Sequence, residues 1–334
     1  MALARGRLYE LCRQLYLEGV TVETAAVVKA LPDFAAYLFP DQHETVDNVL
    51  ERTAATHQEL FGFNLFSYES MFLENAGLLN GEGSDAVAAA YRAFGYAPTM
   101  RAGAPDHLGE ELGALAHLCT AEADAWEDGN RAIAQRMQRE ERQFLQTHLL
   151  RWLYPCVTAI QRHEDPFFAY VATVTAELTA AHYAALVAVV PTETPVARPV
   201  WALPAPPTLL QDARTSLKDI AHFLITPVYS GIFLSRASIN RLGRTQRLPR
   251  GFGSREQMLT NLLRTAAQYE LLSALLGDLV QEFHLWQQTY QNVLTANAHL
   301  AEFVKPWLTR AGATVELLAE MDKTLMHTGE LFDR

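Results

Sequence analysis

The sequence predicts an all-α protein. Apolar residues recur at three- and four-residue spacing through almost the whole chain. No segment sustains the period-two alternation of a half-buried strand, and glycine, serine and proline punctuate the apolar stripes at helix-length intervals. The chain has 334 residues, 49% of them hydrophobic, enough for one large or two medium cores.

The stripes run in order. Leu8, Leu11, Cys12, Leu15 and Tyr16 form the first, closed by Gly19 as C-cap. Val46, Val49, Leu50, Thr53, His57, Leu60 and Phe61 form the second, with Phe61-Gly62-Phe63-Asn64 read as a loop behind it. Ser84 is expected to cap a helix carrying Val87, Tyr91 and Phe94 and ending at Gly95. A long helix is expected from about Pro105, striped by Leu108, Leu112, Leu115, Cys119 and Trp126. The next carries Ile133, Met137, Phe144, His148 and Trp152, and Pro155 is expected to stop or kink it. The apolar run from Phe167 to Val190 is long enough to cross a bilayer, but it contains Glu177, His182 and several threonines, so a buried core helix is the expectation.

Residues 191–207 hold Pro191, Pro195, Pro199, Pro204, Pro206 and Pro207 and read as an extended linker. The expected organisation is a first domain over 1–190, this linker, and a helical extension over 208–334. In the extension Ser254 and Gln257 form a capping-box pattern. Stripes then run through Met258, Leu262, Ala266 and Tyr269, through Leu279, Phe283, Trp286 and Tyr290, and through Leu308, Val315, Leu318 and Met321.

Composition excludes several functions. A net charge of −11 argues against a general nucleic-acid binder and fits a soluble cytoplasmic protein. Cys12, Cys119 and Cys156 are odd in number and widely spaced, which suggests neither a disulfide framework nor a cysteine zinc site. Glu10, Arg13 and Gln14 interrupt any signal-peptide apolar core.

Three patterns stand out by order and spacing: Tyr68-Glu69-Ser70-Met71-Phe72-Leu73-Glu74, Pro105-Asp106-His107-Leu108-Gly109-Glu110-Glu111-Leu112, and Phe144-Leu145-Gln146-Thr147-His148-Leu149-Leu150-Arg151-Trp152. Folding alone explains much of them. Glu110 and Glu111 suit the positive end of a helix, and a histidine on an apolar stripe, like His148, is ordinarily a hydrogen-bonded core residue. Asp106 and His107 are the least well explained. His107 at a helix start should stay neutral, pairing with Asp106 or accepting a backbone bond.

As an ordered set, the patterns resemble the TorD/DmsD/NarJ family of redox-enzyme maturation chaperones. The Asp106-His107 pair matches, as do Phe144-Leu145, His148-Leu149 and Trp152, and Pro166-Phe167-Phe168-Ala169 is similar to a later segment of that family. Gly103 and Ala104 stand where the family pattern has Glu and Pro. The likeness covers about residues 1–190. It implies a TorD-like helical bundle with an added helical C-terminal region, no catalysis and no cofactor of its own. It also implies a cytoplasmic protein that binds the precursor of a molybdenum or tungsten oxidoreductase until its cofactor is inserted. Contact through the twin-arginine signal peptide, the apoenzyme or both is implied, with no nucleic acid and no integral membrane segment. On this reading Asp106, Glu69 and Glu74 would pair arginines, with His107 and Tyr68 beside them, while Phe72, Leu73 and Trp152 would receive an apolar run.

Two features admit other readings. Arg236, Arg241, Arg244, Arg247, Arg250 and Arg255 cluster around a loop marked by Gly243, Pro249, Gly251 and Gly253, and residues 201–260 carry eight Lys/Arg against three Asp/Glu. Arg241, Arg244, Arg247 and Arg250 are candidates for an anion contact, to a pterin dinucleotide or an acidic client patch; the plainer account is a basic loop folded onto the protein's own acidic surface. No G-x-x-x-x-G-K-[ST] loop supports nucleotide hydrolysis. The alternative function is a metal-dependent enzyme using His107 and Glu111, four apart on one helix face, with His148 as third ligand.

Overall fold

Sixteen α-helices and no β-strand form among the residues that the computed structural model describes, namely 1–41, 43–75, 82–99, 101, 103–190, 201–211, 214–249 and 251–332. The all-α class therefore holds. Contacts divide the chain into two compact units, Met1–Val200 and Trp201–Arg334. Arg250 and residues 191–200 of the proline-rich stretch lie outside the described residues.

The first unit holds α1 (Ala2–Glu18), α2 (Val22–Lys29), α3 (Pro32–Leu38), α4 (Val46–His57), a π-helical turn (Gln58–Asn64), α5 (Glu69–Leu73), α6 (Glu82–Phe94), α7 (Leu108–Glu127), α8 (Arg131–Thr147), α9 (Leu149–Gln161) and α10 (Pro166–Val189). Local chemistry sets most boundaries. Thr21 and Thr24 cap α2 reciprocally, Thr45 caps α4, Asn130 caps α8, and Asp165 accepts from the Phe168 N–H at 2.7 Å to start α10. Gly19 ends α1 with φ of 72°, a conformation that glycine adopts without strain.

α1 lies along α7, the most extensive helix pairing of the unit. Their approach is close at Gly109, where an added Cβ would come within 2.6 Å of Leu17 Cγ. α9 packs on α10 and α8, so Trp152, Phe144, Phe167 and Phe168 share one core with Tyr9 and Tyr16. α10 has the length and composition to cross a membrane, yet in this unit it buries Thr175, Thr179 and His182, with hydrogen bonds from Thr175 to Tyr16 and from His182 to Tyr9.

Several elements differ from the sequence expectation. Helix α7 begins at Leu108, leaving Pro105 and Asp106 outside it, because the His107 side chain accepts from the Gly109 N–H and caps the helix. The expected single helix through His148 and Trp152 breaks at His148, whose φ and ψ of −125° and −90° are non-helical, while Pro155 sits inside α9. Phe61–Asn64 is not a loop; the π-helical turn carries it, closing with Leu65 N–H to the Leu60 carbonyl. Ser84 lies inside α6 and its hydroxyl is used elsewhere.

The second unit holds α11 (Leu217–Ile225), α12 (Pro227–Ser230), α13 (Arg236–Thr245), α14 (Arg255–Gln268), α15 (Leu272–Ala296) and α16 (Ala301–Phe332). Ser216 with Asp219, and Ser254 with Gln257, form capping boxes at α11 and α14. α15 pairs with α16 and α11 with α14, around buried Trp286, Tyr290 and Trp307. Part of the expected arginine loop is helical: Arg236, Arg241 and Arg244 lie on α13.

The turn after α12 is the tightest point of this unit. Gly231 has φ of 88°, and a Cβ there would overlap the backbone of Ala311 on α16. Its carbonyl accepts from Tyr290 Oη at 2.9 Å, and the Ser230 carbonyl from Thr314 Oγ1 at 2.9 Å. A Gly231→Ala substitution is expected to lower stability by about 2–4 kcal/mol, through steric overlap added to backbone strain. Urea unfolding of the full chain checks this.

Candidate functional site

The three sequence patterns converge. Ser67–Glu69 and Asp106–Leu108 form an isolated antiparallel bridge, in which Glu69 N–H donates to the Asp106 carbonyl at 2.9 Å and Leu108 N–H to the Ser67 carbonyl at 2.8 Å. Glu69 thereby opens α5 immediately beside the start of α7.

Asp106 is fully buried, and both of its oxygens are engaged. Oδ2 accepts the Ser70 N–H of α5 at 3.0 Å, and Oδ1 accepts the Ser84 hydroxyl of α6 at 2.9 Å. One carboxylate thus caps one helix and ties down a second while its own backbone joins the bridge. It is a positioning residue in this conformation, not an exposed acceptor for an arginine, and the expected direct pairing gives way to that role because neither oxygen faces solvent.

His107 accepts one of the two contacts expected of it, a backbone bond. Its Nδ1 takes the Gly109 N–H at 3.1 Å, so the proton resides on Nε2 and points to Ser67 Oγ at 3.0 Å. Burial, with a smaller contribution from His57, holds its pKa down at about 3, so the ring is neutral. Tyr68 stands edge-on to it at 4.9 Å.

The third pattern closes the cluster. His148 Nδ1 lies 3.2 Å from Glu69 Oε2, and Trp152 Nε1 donates to Glu111 Oε1 at 3.2 Å. Phe72 packs on Trp152 at 5.5 Å, and both are fully buried. Burial first, then the neighbouring Glu69 and Asp106, push the Glu111 carboxyl well above the usual range, and its hydrogen bond to Glu69 favours the protonated form. Glu110 points elsewhere, holding Thr99 through Oε1 at 2.5 Å and through the Thr99 N–H at 3.1 Å.

The predicted residues therefore fall into two groups. Asp106, His107, Glu69, Phe72 and Trp152 are buried, while Tyr68, Leu73 and Glu74 remain partly exposed on the same short segment. Ser67 and Ser84, which complete the cluster, were missed by sequence reasoning; no spacing rule connects a serine hydroxyl to a carboxylate 22 residues away. The metal-enzyme alternative does not assemble. Both His107 nitrogens are engaged and His148 turns to Glu69, so His107, Glu111 and His148 offer no common centre.

The arginines of the second unit also divide. Arg255 is half-buried over the Phe233 ring at 4.2 Å and donates to the carbonyls of Ile225 and Leu234, a structural role that sequence counting could not separate from the rest. Arg241 lies 3.6 Å from Glu282, and Arg244 and Arg247 are exposed.

The three ordered patterns of this all-helical unit thus build one buried junction. Residues 22–158 match the sequence model of the family described as the nitrate reductase delta subunit. This segment is therefore similar to the redox-enzyme maturation chaperones of NarJ/TorD type that the three patterns resemble. No curated protein and no solved structure matches the chain significantly.

The cluster makes two predictions. Asp106→Ala leaves a buried N–H and a hydroxyl unsatisfied and should cost about 2–4 kcal/mol in urea unfolding, with Asp106→Asn costing less. Glu111→Gln tests the protonated carboxyl. A carboxyl whose folded pKa is raised keeps its proton when the unfolded chain loses it, so it costs about 1.4 kcal/mol per pH unit above the usual range, up to its folded value. The amide removes that cost and still accepts from Trp152. The variant should therefore gain stability relative to wild type between pH 5 and 8, measured by unfolding at both ends of that window.

Proposed function

We propose that this protein is a cytoplasmic chaperone that holds the precursor of a molybdenum or tungsten oxidoreductase while its cofactor is inserted. The observation that carries this reading is the convergence of three patterns, dispersed over residues 68–152, on one buried junction within the segment that matches the delta-subunit family. The first unit is the chaperone domain, and the helical region after the linker is its extension. The protein has no catalytic chemistry of its own and works by binding.

The division between buried and exposed members suggests how. Asp106, His107, Glu69, Glu111, Phe72 and Trp152 form a rigid base. Tyr68, Leu73 and Glu74 stand on it as contact residues, offering an aromatic ring, an aliphatic surface and a carboxylate. These suit a twin-arginine signal peptide, in which guanidinium groups precede an apolar run. Glu74 Oε1 accepts the Gly83 N–H at 2.9 Å, which orients that carboxylate without burying it. Arg244 and Arg247 are the remaining candidates for contact with an acidic client patch.

The test is fluorescence polarisation with a labelled twin-arginine leader peptide and full-length protein. Tyr68→Ala with Leu73→Ala, and separately Glu74→Gln, should weaken binding about tenfold or more while leaving unfolding within about 1 kcal/mol of wild type. Unchanged affinity in these variants would remove the assigned contacts. Failure of the wild-type protein to retain either a leader peptide or a leaderless apoenzyme would overturn the chaperone reading.

A further inference from the structure

A second buried polar cluster lies elsewhere in the first unit, at the meeting of α1, α7, α8 and α10. Cys119, Glu141 and His182 bring one ligand atom each to within 4.8 Å of one another. All three side chains are buried. No sequence pattern marks this grouping, because its members are separated by helix lengths and share no motif spacing.

The geometry points to a buried divalent-metal site, best suited to Zn²⁺, formed by Cys119 Sγ, His182 Nε2 and both carboxylate oxygens of Glu141. Thiolate, imidazole and carboxylate together make the donor set of zinc in proteins. Three observations support the assignment beyond the grouping.

The first is the second nitrogen of the histidine. Tyr9 Oη lies 3.1 Å from His182 Nδ1 and can accept its proton, which leaves the lone pair on Nε2, facing Glu141 at 3.0 Å. An outer partner of this kind is what orients a metal-binding imidazole.

The second is an unsatisfied atom. Glu141 Oε1 is buried without a hydrogen-bond partner, while Oε2 meets His182. A bidentate carboxylate would use both oxygens and complete four donors.

The third is charge. Arg5, on α1, pairs with Glu122 at 2.9 Å, and Glu122 also accepts from Trp126 and Gln138, so this ion pair is neutral in itself. One Zn²⁺ replacing the protons of a Cys119 thiol and a Glu141 carboxyl leaves the net charge unchanged, which avoids burying an uncompensated charge.

The test uses full-length protein, stripped with chelator and then titrated with Zn²⁺ or Co²⁺. One Co²⁺ per chain should give a thiolate-to-cobalt charge-transfer band, lost in Cys119→Ser. Zn²⁺ affinity, read by competition with a chromophoric chelator, should fall at least tenfold in Glu141→Gln and rise with pH as ligand protons leave. Zn²⁺ should also raise the thermal midpoint of the wild type, a readout that needs no variant. A cobalt spectrum lacking the thiolate band, the same band in Cys119→Ser, or no shift of the wild-type midpoint would reduce the cluster to a hydrogen-bonded network and overturn the proposal.

Discussion

A helix start leaves backbone N–H groups without partners, and in the first unit two such starts are brought side by side. The Asp106 carboxylate and the His107 imidazole resolve the problem jointly. Asp106 takes the Ser70 N–H of α5, and His107 takes the Gly109 N–H of α7. Adjacent residues thereby cap two different helices, and the bridge between Ser67–Glu69 and Asp106–Leu108 fixes their separation. Everything else at the junction follows from that pairing. Ser84 is drawn to the free Asp106 oxygen, bringing α6; Glu111, one turn into α7, comes to face Glu69; and Trp152 and His148 close the far side.

The junction works because its charges are managed. Three carboxyl groups, Glu69, Asp106 and Glu111, share a region that excludes water, which three anions could not do without large cost. The conflict is relieved by protonating the most enclosed of them, Glu111, and by giving Asp106 two donors. His107, though basic, contributes no positive charge, since its lone pair is committed to a backbone N–H. Such a base resists deformation, because moving any member strips a buried polar atom of its partner. Rigidity of this kind would suit the proposed presentation of a short surface segment to another chain.

The helices were legible in the sequence because their apolar stripes and caps are local. Ser254 acts within four residues, and Gly19 and Gly95 end their helices with positive φ. The family motifs were legible as an ordered set, and the match over residues 22–158 rests on the same segment. Individual roles were not. Asp106 and Trp152 read as surface contacts for a peptide because aspartate and tryptophan serve such contacts elsewhere, and only tertiary structure shows that both are buried. The break at His148, where the sequence points to Pro155, has the same origin. Proline propensity is local, whereas the pull of His148 toward Glu69 comes from a residue 79 positions away.

The two buried clusters of the first unit then illustrate one rule with different outcomes. Around Asp106 both carboxylate oxygens and the His107 imidazole meet backbone or hydroxyl partners, so these residues act as support. Around Glu141 an oxygen is buried without a partner, and an imidazole, a thiol and a carboxyl group face one another. A buried carboxylate oxygen in that position costs about 1–3 kcal/mol unless something else occupies the space. A cation that exchanges for two protons satisfies all three donors at once, which a single added hydrogen bond would not. The same helix, α7, carries both clusters, with Glu111 near its start and Cys119 two turns further on.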